Sequence, residues 1–201
     1  MPIPSSGRVR VAVLISGAGS NMAALVDAAR ETGCPFEVSL VLSNRPDAGG
    51  LSVAREKGVA VAAVDHRPFG KDREAHERAV DAALVEHGIE VVALAGYMRL
   101  LTPWLVRRWE GRMLNIHPSL LPKYPGLDTH ARALAAGDDE AGCTVHLVTE
   151  GVDEGPILAR AAVPVLADDT PASLAQRVLT AEHRLYAATL ADFCRAQMRS
   201  L

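Results

Sequence analysis

The fold of this chain is decided by residues 8–21, which read RVRVAVLISGAGSN. After Arg8 and Arg10, residues 11–15 are continuously apolar, as expected of a strand that is buried on both faces of a parallel sheet. The glycine-containing turn SGAGSN, residues 16–21, follows directly, and an amphipathic segment then begins. A strand, a tight turn and a helix in this order form the first unit of an open α/β sheet.

The same alternation of short β-branched runs and longer segments of helical period continues along the chain. Strands are predicted at residues 8–15, 36–42, 59–64, 90–95, 113–116 and 144–148. Helices are predicted at residues 21–31, 50–57, 72–87, 103–109 and 129–136, and from Thr170 and Pro171 to about residue 197. We therefore predict a single-domain α/β fold of the Rossmann-like kind, with an open, mostly parallel twisted sheet and helices on both faces.

The length of 201 residues suits one domain with a full hydrophobic core. No linker, repeat or low-complexity segment divides the chain, so residues 1–201 are predicted to form a single domain. Residues 1–7 contain Pro and Ser and are predicted to be a frayed terminus. The apolar stretch behind them soon meets Ser16 and Gly17, which argues against a secretory signal.

Composition and charge exclude several classes of protein. The apolar runs are far shorter than the roughly 18 to 20 residues that span a bilayer, so no membrane association is predicted. A net charge of −3 provides no overall field that would attract nucleic acid. Cys34, Cys143 and Cys194 are odd in number, widely spaced and without a CxxC pair, which indicates reduced thiols, no metal site and a cytoplasmic protein.

The glycine turn at residues 16–21 has two interpretations. At a helix start, free backbone N–H groups and the positive end of the helix dipole suit a phosphate. A dinucleotide-binding turn is disfavoured because Met22 takes the third glycine position, and because Ser43 and Asn44 stand where an acid would bind a ribose hydroxyl. The other interpretation is a structural turn in which Ser20 caps the helix. The sequence leaves phosphate binding and the structural turn open.

Two polar side chains stand at the end of the strand predicted at residues 113–116. Alternation along a strand places Asn115 and His117 on the same side, with Ile116 facing away. At the carboxyl end of a parallel strand, such a pair faces the crevice where open α/β folds bind ligands. This placement favours a chemical role for the pair, and a packed or surface histidine is the alternative interpretation of His117.

A second polar turn, TEGVDEGP at residues 149–156, follows the next strand. Its glycines allow backbone conformations that bring a carboxylate against another element. Asp153 is a candidate partner for His117, because a nearby carboxylate stabilises imidazolium and raises the pKa of a histidine above about 6.5. Glu150 and Glu154 compete for this role, and a solvated turn residue is the alternative interpretation of Asp153.

The run NIHPSLLP at residues 115–122 resembles the signature of the folate-dependent formyltransferases, and the following KYPG at residues 123–126 resembles the branch that formylates glycinamide ribonucleotide. The resemblance covers nearly the whole chain and includes SGAGSN, the Asp153 turn, AGYMR at residues 95–99 and AEH at residues 181–183. It implies that the amino group of glycinamide ribonucleotide attacks the formyl carbon of 10-formyltetrahydrofolate in purine biosynthesis, without a metal.

The resemblance also assigns roles to residues. Asn115 would donate a hydrogen bond to the developing oxyanion, protonated His117 would stabilise it and act as general acid, and Asp153 would raise the pKa of that imidazole. The nucleotide phosphate is assigned to Gly19, Ser20 and Asn21, and the ribose or glycinamide end to Glu182. The folate cleft is assigned to Arg73, Met98, Arg99, Leu100, Leu101, Asn115, Thr149, Glu150, Gly151, Val152 and Asp153.

Some of these assignments have purely structural alternatives. Met98, Leu100 and Leu101 would equally suit core packing, and Arg73 a solvated helix face. Asp128 stands where many members of the family carry histidine, so no role is transferred to it, and it is predicted to cap the helix at residues 129–136. His130 is a candidate for a supporting residue, which would contact the catalytic side chains and not the substrate.

Three other functions compete with this assignment. Methionyl-tRNA formyltransferase and formyltetrahydrofolate deformylase would use the same cleft, but each resembles this module with an added domain, for which we expect no room in 201 residues. A nucleotide-binding module without catalysis is disfavoured by the joint presence of Asn115, His117 and Asp153. The expected partners are small molecules, glycinamide ribonucleotide and a reduced folate, and a homodimer is left open.

Overall fold

The computed structural model describes residues 7–199, so the predicted frayed terminus lies outside the described residues except for Gly7. The strands are β1 Val9–Ile15, β2 Phe36–Ser43, β3 Val61–Ala63, β4 Val91–Leu94, β5 Met113–His117, β6 Glu140–Leu147 and β7 Ile157–Pro164. The helices are α1 Ser20–Ala28, α2 Gly49–Glu56, α3 Arg73–Glu86, α4 Pro103–Arg108, α5 Thr129–Ala136 and α6 Pro171–Arg199, with a 3₁₀ turn at Arg67–Phe69.

The seven strands form one sheet in the order β3-β2-β1-β4-β5-β6-β7. The strands from β3 to β5 are parallel, whereas β6 is antiparallel to β5 and β7 to β6. From β1 the chain first adds β2 and β3 on one side, and then crosses back to add β4 on the opposite side of β1. Open sheets bind ligands outside the carboxyl ends of their strands at such a reversal. The predicted fold class is confirmed.

Strand β1 is apolar because both of its faces are covered. Val11, Val13 and Ile15 are fully buried in a core that includes residues of α1, α2, α5 and α6. Ala12 and Leu14 are fully buried in a second core, which α3 and α4 cover on the opposite face. Alternate side chains of one strand therefore enter two cores, which accounts for the nearly continuous apolar run.

The antiparallel edge of the sheet was not predicted. Strand β7 is exposed at every second residue, and its sequence ILARAAVP contains few β-branched residues, so its pattern is weak. Pairing with β7 extends β6 back to Glu140, where residue 144 was the expected start. Strand β3 is shorter than predicted because only Val61–Ala63 pairs with β2. Helix α1 ends at Ala28 and not at residue 31.

Helices α4 and α6 begin with the residues that the sequence predicts, whereas the start of α1 differs from one of its two interpretations. Pro103 opens α4, and α6 has a reciprocal cap in which the Ser173 N–H donates to Thr170 Oγ1 at 3.2 Å and the Thr170 N–H donates to Ser173 Oγ at 2.9 Å. The residue that precedes α1 is Gly19 in a left-handed conformation, with φ of 75°. The interpretation in which Ser20 caps this helix is therefore wrong.

Helix α6 holds the sheet at the carboxyl ends of its central strands. The fully buried Tyr186 hydroxyl lies 3.1 Å from the carbonyl oxygen of Leu94 in β4 and 3.2 Å from that of Leu114 in β5. One turn earlier on the same helix face, Glu182 is held beside the same strand ends. Within residues 7–199, no helix is both long and apolar enough to cross a bilayer.

Replacing Tyr186 by Phe removes this anchor while keeping the volume of the ring. We expect Tyr186→Phe to lower the free energy of unfolding by about 1–2 kcal/mol, because it leaves two buried carbonyl groups without this donor. Urea denaturation followed by circular dichroism measures the change. A variant as stable as the wild type would show that the hydroxyl contributes nothing to the fold.

Candidate active site

A cavity of about 760 Å³ opens at the carboxyl ends of β4 and β5, flanked by α5 and α6. Its wall includes Asn115, His117 and Asp153, so the structure brings the three predicted catalytic residues together. Asn21 and Glu182, predicted to bind the nucleotide, line the same cavity. The position of this cavity beside the reversal of strand order is where open α/β sheets bind ligands.

The Asp153 carboxylate is the centre of the site. Its Oδ2 lies 3.3 Å from His117 Nδ1 and accepts from the Gly126 N–H at 2.9 Å. Its Oδ1 lies 3.5 Å from Asn115 Nδ2 and 3.6 Å from His146 Nε2. Burial opposes ionisation, but the His146 ring, the Gly126 N–H and the His117 ring outweigh it and hold the pKa of Asp153 below its usual value. Asp153 is therefore an anion throughout the neutral range.

The hairpin of β6 and β7 delivers Asp153 to this place. The Leu147 N–H donates to the Pro156 carbonyl oxygen at 2.9 Å, which closes the loop that carries Asp153. Asp153 itself has a left-handed backbone, with φ of 56°. A Cβ atom on Gly155 would lie 1.7 Å from the Leu147 oxygen, so only glycine lets the loop fold back onto β6.

The two competing carboxylates of this loop lie elsewhere. Glu150 pairs with Arg107 at 2.7 Å on the surface of the molecule, and Glu154 is exposed. Neither has a contact with His117 in the described residues. The choice of Asp153 over its neighbours follows from the direction in which the loop turns each side chain.

Both ring nitrogens of His117 face acceptors. Nε2 lies 2.9 Å from the Tyr124 carbonyl oxygen, and because a carbonyl only accepts, Nε2 carries a hydrogen. Nδ1 faces the Asp153 carboxylate. A carboxylate also only accepts, so the arrangement suits a ring that carries a hydrogen on both nitrogens. His117 is only 6% exposed, so water is largely excluded from the ring.

His146 supports the site but was not singled out from the sequence. It lies on β6 directly opposite Asn115 in the antiparallel register. Its Nδ1 donates to the Leu147 carbonyl oxygen at 2.9 Å, and its Nε2 lies 3.2 Å from Asn115 Nδ2. The ring therefore borders both the Asn115 amide and the Asp153 carboxylate. Strand alternation alone places His146 on the same face of β6 as Thr144. Only the pairing register with β5 reveals its contact with Asn115.

The glycine turn lines a second cavity, of about 590 Å³, which adjoins the first. Gly19 and Ser20 form one side of it, and the basic side chains of Arg45 and His66 form another. The first N–H groups of α1 have no acceptor within the helix and point towards an approaching anion. Arg45 and His66 follow two different strands, so their proximity to the turn was not evident from the sequence.

Asn21 lines both cavities and connects them through Glu182. Asn21 Nδ2 donates to Glu182 Oε2 at 2.6 Å, whereas Asn21 Oδ1 is buried without a partner. Burial raises the pKa of Glu182, and the Asn21 donor opposes this shift. A buried acceptor that lacks a donor, beside a buried carboxyl group, suits a ligand rich in hydroxyl or amino groups.

Part of the predicted folate cleft lies on the wall of the larger cavity. Met98, Leu100 and Val152 are 68%, 61% and 52% exposed, and together with Leu127 they form an apolar rim. The alternative of core packing is therefore wrong for Met98 and Leu100. Arg99 lines the same cavity, and its Nε and Nη2 atoms are buried without partners. This guanidinium is available to an anionic group of a ligand.

Other residues assigned to the cleft lie outside the wall of this cavity. Arg73 is exposed at the start of α3, and Leu101 packs against the core beneath α3 and α4. Thr149, Glu150 and Gly151 precede the two loop residues, Val152 and Asp153, that reach the cavity. Within residues 7–199, no group of three or more His, Cys, Asp or Glu side chains is arranged to hold a metal ion.

Two residues at the start of α5 also line the cavity. Asp128 precedes the helix with a left-handed φ of 58°, but its side chain accepts no capping hydrogen bond, so the predicted capping role is wrong. His130 is partly buried, and its Nδ1 has no partner. Burial, and then the charge of His117, lowers the pKa of His130. The His130 imidazole is therefore uncharged at neutral pH.

Replacing Asp153 by Asn tests the charge at the centre of the site, because Asn tolerates the left-handed backbone. The folded-state pKa of Asp153 lies below its ordinary value, so its charge stabilises the protein above that value and this stability is lost as the pH falls through the lowered pKa. Between about pH 5 and about pH 2, we expect the free energy of unfolding to fall more steeply for the wild type than for the variant. Equal slopes in urea denaturation would contradict an ionised Asp153.

Comparison with known proteins places the chain in a family. It matches the model of the formyl transferase family over residues 9–190. It is 43% identical to phosphoribosylglycinamide formyltransferase of Escherichia coli K12, over 95% of this chain and 90% of that protein. It is 48% identical to the trifunctional purine biosynthetic protein adenosine-3 of Drosophila melanogaster over 93% of this chain, but spans only 14% of the length of that protein.

Solved structures agree with this placement. Phosphoribosylglycinamide formyltransferase from Brucella melitensis is 55% identical with a TM-score of 0.89, over 93% of this chain and 96% of that one. Glycinamide ribonucleotide transformylase 1 from Symbiobacterium toebii is 44% identical with a TM-score of 0.91, over 98% of this chain and 92% of that one. The chain therefore belongs to the formyl transferase family.

Proposed function

We propose that this chain transfers the formyl group of 10-formyltetrahydrofolate to the amino group of 5'-phosphoribosylglycinamide, a cytoplasmic step of de novo purine biosynthesis. The observation that carries the proposal is the contact of Asp153 with both His117 and Asn115, on the wall of a cavity that adjoins the glycine turn. The name of the Escherichia coli relative, which the chain matches over 90% of that relative's length, supports it.

The donors of the site suit the charge that develops in this reaction. As the amino nitrogen bonds to the formyl carbon, the carbonyl oxygen becomes an oxyanion. Asn115 Nδ2 and His117 Nδ1 face the two oxygens of the Asp153 carboxylate on the wall of one cavity, and the proposal has them turn to the oxyanion as it forms. Two such donors stabilise an oxyanion without a metal, and the proposal therefore includes none.

The protons of the reaction are assigned to the same residues. The attacking nitrogen must lose a proton, which Asp153 or a water molecule accepts. The bond between the formyl carbon and the folate nitrogen then breaks, and His117 Nδ1 gives its proton to that nitrogen. His117 Nε2 lies on the Tyr124 carbonyl oxygen, so the proposal assigns the transferred proton to Nδ1.

The two cavities suit the two substrates. A nucleotide phosphate fits the start of α1 at Gly19 and Ser20, and the ribose or glycinamide end fits Asn21 and Glu182, which lead to the catalytic residues. On the other side, the apolar rim suits the flat ring of a reduced folate. The unpaired nitrogens of Arg99 suit a folate carboxylate.

An assay with the purified protein tests the proposed function. We expect glycinamide ribonucleotide and 10-formyltetrahydrofolate to be consumed in equal amounts, as followed by the absorbance of the folate product. Parallel reactions contain methionyl-tRNA as the acceptor, or no acceptor at all. Formylation of methionyl-tRNA alone, or release of formate without an acceptor, would contradict the proposal in favour of the competing functions.

Replacing Asn115 by Ala removes one donor to the oxyanion. We expect kcat to fall by roughly 10²–10³-fold, with little change in the KM of the nucleotide, because the lost hydrogen bond strengthens only in the transition state. Steady-state kinetics with both substrates measure the effect. The control is Gln176→Ala, which removes an exposed amide from α6. Loss of nucleotide affinity at unchanged kcat would instead make Asn115 a binding residue.

A further inference from the structure

We propose that Asp138, at the carboxyl end of α5, is a positioning residue for His117. It holds the Tyr124 side chain, and through that side chain it holds the Tyr124 carbonyl group that receives His117 Nε2. Asp138 does not line the cavity that contains Asn115 and His117, so it acts through Tyr124 and not on a substrate. The kinetic consequence of this inference rests on the proposed function, whereas its consequence for the His117 ring does not.

Direct contacts connect Asp138 to the loop between β5 and α5, which contains Tyr124. The Tyr124 hydroxyl donates to Asp138 Oδ2 at 2.8 Å, and Lys123 Nζ lies 3.0 Å from Asp138 Oδ1. The Asp138 side chain is 16% exposed, whereas that of Lys123 is 59% exposed. The guanidinium of Arg132 covers the Tyr124 ring at 5.1 Å. The phenol is therefore fixed at its tip by Asp138 and on its face by Arg132.

The end of α5 places Asp138 accurately. Gly137 ends the helix in a left-handed conformation, with φ of 69°, and the Asp138 N–H donates to the Ala133 carbonyl oxygen at 3.2 Å. The same helix begins immediately after the loop that contains Tyr124. The chain thus runs from His117 through the loop and along α5, and Asp138 then returns to the middle of that loop.

Tyr124 needs such a partner because of its backbone. Its φ of 55° lies in the left-handed region, which residues other than glycine rarely adopt. A residue is held in this region only when its surroundings determine its position. Here the conformation directs the Tyr124 carbonyl oxygen to His117 Nε2 at 2.9 Å. The contact of the Tyr124 hydroxyl with Asp138 supplies a fixed point for the same residue.

Asp138 and Tyr124 each keep one protonation state across the neutral pH range. Hydrogen bonds from Lys123, and then from Tyr124, hold the pKa of Asp138 below its usual value. The hydrogen bond to Asp138 raises the pKa of Tyr124. Asp138 is therefore a carboxylate and Tyr124 a protonated phenol at the pH at which the site would act, and the contact between them is present there.

Loss of this contact should affect His117 more than the fold. The loop keeps its other ties, including the bond from Ser119 Oγ to the Lys123 carbonyl oxygen at 2.6 Å. The Tyr124 peptide, however, loses the constraint on its side chain, and His117 Nε2 loses a fixed acceptor. The ring is then less firmly oriented, and so is the direction in which Nδ1 faces the active-site cavity.

The kinetic test uses four variants. In Asp138→Ala we expect kcat to fall by roughly 10- to 100-fold, the scale of a displacement of about 1 Å in a catalytic group. Asp138→Asn retains an acceptor for the phenol and should recover most of this loss. Tyr124→Phe should match Asp138→Ala, and the double variant should be no worse than either single one, because all three break the same contact.

The decisive readout is the His117 ring itself, observed by nitrogen NMR without substrate. The wild type should show one Nε2–H signal, shifted by its hydrogen bond to the Tyr124 carbonyl oxygen, whereas in Asp138→Ala and Tyr124→Phe this signal should be broadened or lose that shift. In assays with both substrates, the same two variants should show an altered pH–rate profile. The control is Asp192→Ala, which breaks an exposed ion pair with Arg195 and should change neither. If Asp138→Ala does not fold, Tyr124→Phe provides the test.

An unchanged His117 ring in a folded Asp138→Ala or Tyr124→Phe variant would overturn the inference. Additive losses of kcat in the double variant would also overturn it, because they would mean that the two side chains act separately. A wild-type protein that transfers no formyl group would contradict the proposed function. The ring measurement would still decide whether Asp138 positions His117.

Discussion

The carboxylate of Asp153, whose side chain is only 11% exposed, makes the contacts on which the site depends. It contacts β5 through His117, β6 through His146 and the loop before α5 through Gly126. A buried anion is costly unless it is paired and hydrogen-bonded, and these three elements provide the compensating contacts. The charge that supports His117 is therefore the same charge that holds the surrounding elements together.

The sheet determines where this carboxylate meets its partners. Strand β1 is buried on both faces, so the sheet has two cores and its strands end at one common edge. Reversal of strand order next to β1 separates the loops at this edge and leaves two adjoining cavities. Asn21 and Glu182 lie where the two cavities meet, which connects the glycine turn to Asn115, His117 and Asp153 within one chain.

His117 is held from two sides by different kinds of contact. Asp153 faces Nδ1 with a charge, whereas Tyr124 faces Nε2 with a neutral carbonyl group. The first favours a hydrogen on Nδ1, and the second favours a hydrogen on Nε2. Orientation and protonation of one imidazole thus come from separate loops, each of which needs its own support within the fold.

The sequence by itself determined the features that depend on near neighbours. The apolar run and glycine turn at residues 8–21 established β1 and the start of α1, and period-two alternation placed Asn115 and His117 on one side of β5. Only the tertiary structure decided between Asp153, Glu150 and Glu154, because that choice depends on how the hairpin of β6 and β7 folds back. The contact of His146 with Asn115 likewise required the antiparallel register. Local patterns act over a few residues, whereas register and loop direction are set by contacts between distant segments.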